Sequence, residues 1–236
     1  MTSKRPSYNE RLNALRVRLA LAVNRSTDDN RKEQLAKVAD DLAKAARANI
    51  GDERKAAILK IARLVLRADR LAWRQLPIAY HEAGHAVIAI HLGIGVGRRG
   101  VNVIPDENRT GVAHILKGFA GRPDVEISDR MRLGAEKNAL ATFAGEAAQR
   151  KYRPTSVRSW HASKDRRDIV DLLSYFVPET RELEAYCHWL QIRAENLIKK
   201  PEVRAQIQAV AETLVKRSQL KPEEVRTICW EVLKSL

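Results

Sequence analysis

The sequence predicts a mainly α-helical fold with one small β-hairpin or sheet, and three observations lead there. Apolar residues recur at three- and four-residue spacing along most of the chain, as they do in helices that bury one face. Interruptions fall at isolated helix-breaking points such as Pro77, Gly93, Pro178, Pro201 and Pro222 rather than at the short regular intervals of a β-sandwich. Only residues 100–104 and 110–115, on either side of a turn-rich 105–109, read as paired strands. With 236 residues and 44% apolar content, the chain has ample material for a core.

Residues 1–76 read as helix. Leu12, Leu15, Leu19, Ala22 and Val23 form one apolar stripe, and Leu35, Val38, Ala39 and Leu42 form another. Ser26, Thr27, Asp28 and Asp29 read as a turn and cap, while Ile50, Gly51 and Asp52 end one helix and cap the next. The third helix leads towards Pro77. On it, Lys60, Arg63, Arg67, Arg70 and Arg74 share a narrow arc, and Ile61, Leu64, Val65, Ala68 and Ala72 occupy the neighbouring one. Residues 1–76 hold 18 Lys and Arg against 9 Asp and Glu, so most of the chain's net charge of +14 belongs to them. The five basic residues mark a candidate surface for nucleic acid or an acidic protein, although a solvated basic face has the same pattern.

Pro77 suits the first turn of a further helix, with Ala79, Ala83, Ala86, Val87 and Ile90 as its apolar stripe and Gly93 as its stop. This helix carries His81-Glu82-Ala83-Gly84-His85, an H-E-x-x-H pattern. A four-residue separation puts the two imidazoles on one face, about 5–6 Å apart at Cβ, where both reach one metal ion. Glu82 lies beside the first ligand. A carboxylate there can take a proton from metal-activated water and pass it to a leaving amine. The pattern therefore predicts a zinc site with hydrolytic chemistry.

Gly95, Gly97 and Gly100 match G-x-G-x-x-G, but a dinucleotide fingerprint needs a strand before it and a helix after it, and here the order is reversed. The predicted hairpin follows, then a glycine-containing loop over residues 117–127 near the site. Ser128 and Asp129 cap a helix whose apolar residues Leu133, Leu140, Ala144 and Ala148 recur as far as Tyr152 and Pro154. Residues 155–162 read as a loop, Ser163, Lys164 and Asp165 as a helix start, and the remainder as a helical tail. A catalytic zinc with two histidines and water still needs a protein ligand. Glu146, Asp165, Asp168, His161 and His114 all have suitable chemistry, and spacing does not choose among them.

The two cysteines, Cys187 and Cys229, are far apart in sequence and form neither a C-x-x-C pair nor a disulfide framework, as expected of a reducing, cytoplasmic setting. The apolar run from Leu19 to Val23 is too short for a signal-peptide core, and no stretch approaches the ~20 apolar residues of a membrane helix. The expectation is a soluble protein with no membrane anchor.

From about Ile78 onward the chain resembles the peptidase domain of the FtsH family of AAA proteases. The resemblance rests on residues 81–86, on Val101-Asn102-Val103-Ile104-Pro105, on Phe143-Ala144-Gly145-Glu146-Ala147-Ala148, on Ala162-Ser163-Lys164-Asp165 and on Leu220-Lys221-Pro222-Glu223-Glu224-Val225. It implies an FtsH-like zinc metallopeptidase domain over 77–236, to which the basic helices read over 1–76 are an appendage. It also implies Zn2+ held by His81, His85 and Asp165, Glu82 as general base, and a substrate strand laid along Val112, Ala113 and His114. His114 is in addition a candidate for contact with the transition state, although an ordinary strand histidine has the same pattern.

The chain departs from the family in two respects. Gln149 stands where the family usually has a glutamate, replacing a carboxylate near the ligands by an amide. No G-x-x-x-x-G-K-[ST] occurs, so the expected activity is ATP-independent cleavage of flexible or unfolded protein segments. The resemblance is compatible with a homo-oligomeric ring and with a separate ATPase partner. Two other readings stand beside this one: a dedicated regulatory protease of a nucleic-acid-associated target, and a non-catalytic zinc-stabilised scaffold that works through its basic helices.

Overall fold

In a computed structural model of the chain, the described residues are 6–26, 29–48, 50–104, 111–157 and 163–236. They form eight α-helices, one 3-10 turn and a three-stranded antiparallel sheet. The expected mainly α fold with a small sheet is therefore observed. The chain divides into two compact units, Met1–Trp73 and Arg74–Leu236. No helix among the described residues is long and apolar enough to cross a membrane.

The first unit contains α1 (Tyr8–Arg25), α2 (Asp29–Arg47) and the opening turns of α3 (Asp52–His91). Ser7 caps α1 through a reciprocal capping box with Glu10. Leu12, Leu15, Leu19 and Ala22 of α1 meet Leu35, Leu42 and Ala45 of α2 and Leu59 and Ala62 of α3 in one core. The predicted turn residues Thr27 and Asp28 lie outside the described residues.

The expected apolar arc on α3 needs correction. Ile61 and Leu64 are exposed, at 59% and 57%, whereas Leu59 and Ala62 are buried. The buried arc lies one step round the helix and continues to Asp69, whose carboxylate takes a hydrogen bond from Arg31 Nε at 3.0 Å while its carbonyl takes another from Nη2 at 2.8 Å. An acid on that face disguises it in the sequence, because only its pairing with Arg31 makes the position compatible with packing.

The second unit holds the remainder of α3, then β1 (Val96–Asn102), β2 (Val112–Ile115), α4 (Asp129–Tyr152), the 3-10 turn Pro154–Ser156, α5 (Ser163–Ser174), α6 (Thr180–Lys199), α7 (Pro201–Arg217), β3 (Gln219–Leu220) and α8 (Pro222–Ser235). Pro77 lies inside α3 rather than at a helix start. Its missing N–H removes one rung, but every residue from Ala79 to Ala89 is buried, and that packing sustains the helix where local propensity argues for a break. Such all-round burial identifies a central helix. Its far end is tied down by Gln206, which pairs with His91 Nε2 at 2.6 Å and donates to the Cys229 carbonyl at 2.9 Å.

The sheet order is β2-β1-β3, with Val101 opposite both Ala113 and Leu220. The hairpin is present, with β1 beginning four residues before the predicted start at 100. Residues 105–110, covering the predicted turn 105–109 and the predicted start of the second strand, lie outside the described residues. The two-residue β3 was not foreseen. It is too short to show alternation, and it is set against β1 by the left-handed cap Ser218 (φ 63°), whose carbonyl accepts from Val103 N at 2.9 Å.

Candidate metal centre

Helix periodicity stacks His81 and His85 on the face of α3 that meets α4, their ring centroids 4.6 Å apart. Asp165, in the first turn of α5, is brought to the same place. His81 Nε2 and His85 Nε2 lie 3.2 and 3.5 Å from Asp165 Oδ2, and one donor atom from each residue falls within 4.8 Å of the others. Two ligands on one tetrahedral ion at roughly 2.1 Å are about 3.4 Å apart, so the spacing suits a metal ion. These three residues form a group that can hold one.

The second nitrogens of the two rings determine which atoms face inward. His85 Nδ1 lies 2.9 Å from the Ala141 carbonyl, which can only accept, so the proton sits on Nδ1 and the Nε2 lone pair points at the centre. His81 Nδ1 lies 3.1 Å from Gln149 Oε1. The amide is itself oriented, because Gln149 Nε2 donates to the Ser156 carbonyl at 3.1 Å and to Ser156 Oγ at 3.3 Å, leaving its oxygen to accept from His81. Gln149 thus fixes the His81 tautomer without adding charge. Two inward lone pairs and a carboxylate repel one another unless a cation lies between them, whether a proton or a metal ion.

In the metal-free protein that cation is a proton. Burial opposes the charged form of His85, but Asp165 and Glu82 outweigh it and raise the pKa to about 9. Burial likewise disfavours the Asp165 carboxylate, yet the two imidazoles hold its pKa well below the ordinary range.

Glu82 is 7% exposed. Burial raises its pKa, while His81, His85 and the backbone N–H of Ala113 act in the opposite direction. That N–H comes from β2, an edge strand of the sheet. Leu116 N donates to the Gly95 carbonyl, so strand alternation turns the Ala113 N–H to the open side. The structure therefore places Val112, Ala113 and His114 on an edge strand beside Glu82, with Ala113 in direct electrostatic contact with it.

The remaining ligand candidates lie elsewhere. Glu146 binds Arg150 and Arg166, the latter at 3.1 Å, and exposed Asp168 faces Lys164 at 4.0 Å. His114 is half-buried on β2 and does not belong to the metal group, and His161 lies outside the described residues. Lys60, Arg63, Arg67 and Arg70 are exposed in the first unit, and Arg74 opens the second.

Sequence reasoning did not anticipate the work of two glycines. A Cβ on Gly84 would meet Ala148 Cβ at 2.7 Å, so the central helix and α4 approach backbone to backbone there. A Cβ on Gly145 would overlap the His85 ring. Gly145→Ala is accordingly expected to displace His85 and weaken metal binding at least about 10-fold, with destabilisation of about 1–3 kcal/mol. Competitive metal titration and a thermal melt, with Gly51→Ala as the control that meets nothing within 4 Å, check this. Wild-type affinity in Gly145→Ala would show that the ring is free to move. No family model and no curated protein matches the chain.

Proposed function

We propose that the chain is a zinc metalloendopeptidase of the FtsH peptidase type, hydrolysing peptide bonds in flexible or unfolded protein segments. The observation that supports this most directly is the buried Glu82 beside a two-histidine, one-aspartate group. A structural zinc site is normally closed by four protein ligands, whereas the three seen among the described residues leave a position open. A structural site has no use for a buried carboxylate next to its ligands, so Glu82 favours catalysis over the scaffold reading.

When bound, zinc supplies Lewis acidity, polarising the scissile carbonyl and acidifying water in the open position. Asp165 contributes a single negative charge against two neutral imidazoles, so the ion keeps net positive charge. Glu82 receives the proton of the attacking water at its carboxylate and returns it to the leaving nitrogen. Burial, which disfavours its charged form, raises its pKa and so makes the carboxylate a better proton acceptor than an exposed one. β2 is an edge strand of the sheet, so an extended segment can lie along its open side with its backbone running past Glu82. Val112, Ala113 and His114 are the proposed substrate-binding residues. Folded proteins do not present such a strand, which limits the substrate to flexible chain.

The test is cleavage of a permanently unfolded protein and of its native form by the purified chain. The unfolded form should be cut, a chelator should abolish cutting, and stoichiometric zinc should restore it. Cleavage that ignores the chelator, or a zinc-loaded protein that cuts neither form, would exclude this function.

A further inference from the structure

Independently of the peptidase reading, we propose that the first unit carries a binding site for single-stranded nucleic acid, in the cleft that α1 and α3 form around Tyr8, Arg11, Lys60, Arg63, Leu64 and Arg67. The sequence alone shows a basic arc on one helix. The fold adds a second wall, bringing Tyr8 and Arg11 of α1 to face that arc across a cleft of about 360 Å³. Four of its lining residues are cationic and none is acidic.

These charges are not consumed by the fold. Arg31 of the same unit is neutralised by Asp69, whereas Lys60, Arg63 and Arg67 are exposed and none has a carboxylate partner among the described residues. Like charges three and four residues apart on one helix repel, and the core beneath them is made by Leu59 and Ala62 without their help. A polyanion relieves that repulsion and releases its own counterions in doing so.

The lining distinguishes among polyanions. The cleft is of a size to admit one base with its sugar, near the lower end of small-molecule sites. Apolar surface from Tyr8 and Leu64 lies among the cations, and Arg11 sits over the Tyr8 ring at 5.3 Å from its centroid. A basic groove with an aromatic platform holds an unpaired base on the platform and phosphates on the rim. Duplex bases remain stacked on each other and cannot use the platform. An acidic peptide or anionic membrane would engage the charges and leave Tyr8 idle.

Fluorescence anisotropy of the full-length chain with a labelled single-stranded oligonucleotide, titrated at several salt concentrations, tests the proposal. The Lys60→Gln/Arg63→Gln/Arg67→Gln variant should bind at least 10-fold more weakly at low salt. Its slope of log affinity against log salt should flatten by about 2, three contacts at roughly 0.7 each. Tyr8→Leu, which keeps apolar bulk, should lose roughly 5–100-fold with the slope unchanged. Circular dichroism confirms that each variant folds, and Arg181→Gln/Arg204→Gln/Lys216→Gln in the second unit makes the same change in charge at residues that do not line the cleft. The proposal is overturned if that control loses as much as the cleft variant, if Tyr8→Leu binds like wild type, or if a duplex of equal length binds as tightly. Absence of binding at low salt, or capture of anionic vesicles with no oligonucleotide binding, overturns it too.

Discussion

Glu82→Gln should retain the metal and the fold and lose peptide hydrolysis by about 10²–10⁴-fold. The side chain is buried, so an amide of the same shape fits without repacking, and its oxygen can still face the Ala113 N–H. What disappears is the capacity to accept and return a proton. The substitution even removes a buried group whose charged form burial disfavours, so thermal stability should hold or rise slightly. Metal content by mass spectrometry, a melt and the unfolded-substrate assay separate these effects. Full activity in the variant would exclude Glu82 as the base. Lost activity accompanied by lost metal would point instead to a structural role.

The parts of this site that were legible in the sequence are those that follow from local spacing. His81 and His85 are neighbours on any helix, and Glu82 is adjacent in sequence, so three of the four chemical groups are specified within five residues. Asp165 stands 84 residues beyond His81, and no periodicity connects them. The family resemblance suggested it, and the packing of α5 against α4 brings it to the histidines. The family resemblance set Gln149 near the ligands, whereas Gly145 was visible as a residue but not as a role. Spacing alone would leave such a glutamine in solvent, and which ligand it orients emerges only when His81 Nδ1 is found 3.1 Å from it. Gly145 reads as a weak point in a helix until the His85 ring is seen to need the space of its missing side chain. The displaced apolar arc of α3 and the continuation through Pro77 share one cause, since long-range packing overrode a local signal in both.

Asp165→Ala should lower metal affinity at least about 100-fold, more than the usual cost of altering a partner behind a ligand, whereas Asp168→Ala and Glu146→Ala should leave it unchanged. The contrast follows from position. Asp165 Oδ2 faces both Nε2 atoms, while Asp168 and Glu146 are engaged with basic side chains. A pH series on the same variants adds a second signature. Because the metal-free His85 has a pKa of about 9, metal must displace a proton at neutral pH, so wild-type affinity should rise with pH by up to about tenfold per unit and level off near that value. Alanine at 165 removes the carboxylate that holds the proton there, so levelling should move to lower pH. Zinc titration against a chromophoric competitor between pH 6 and 10 measures both quantities. If Asp168→Ala loses the metal and Asp165→Ala keeps it, the third ligand is misassigned. If both aspartate variants lose affinity while the levelling point stays near 9, Asp165 acts on the fold of α5 rather than on the ion.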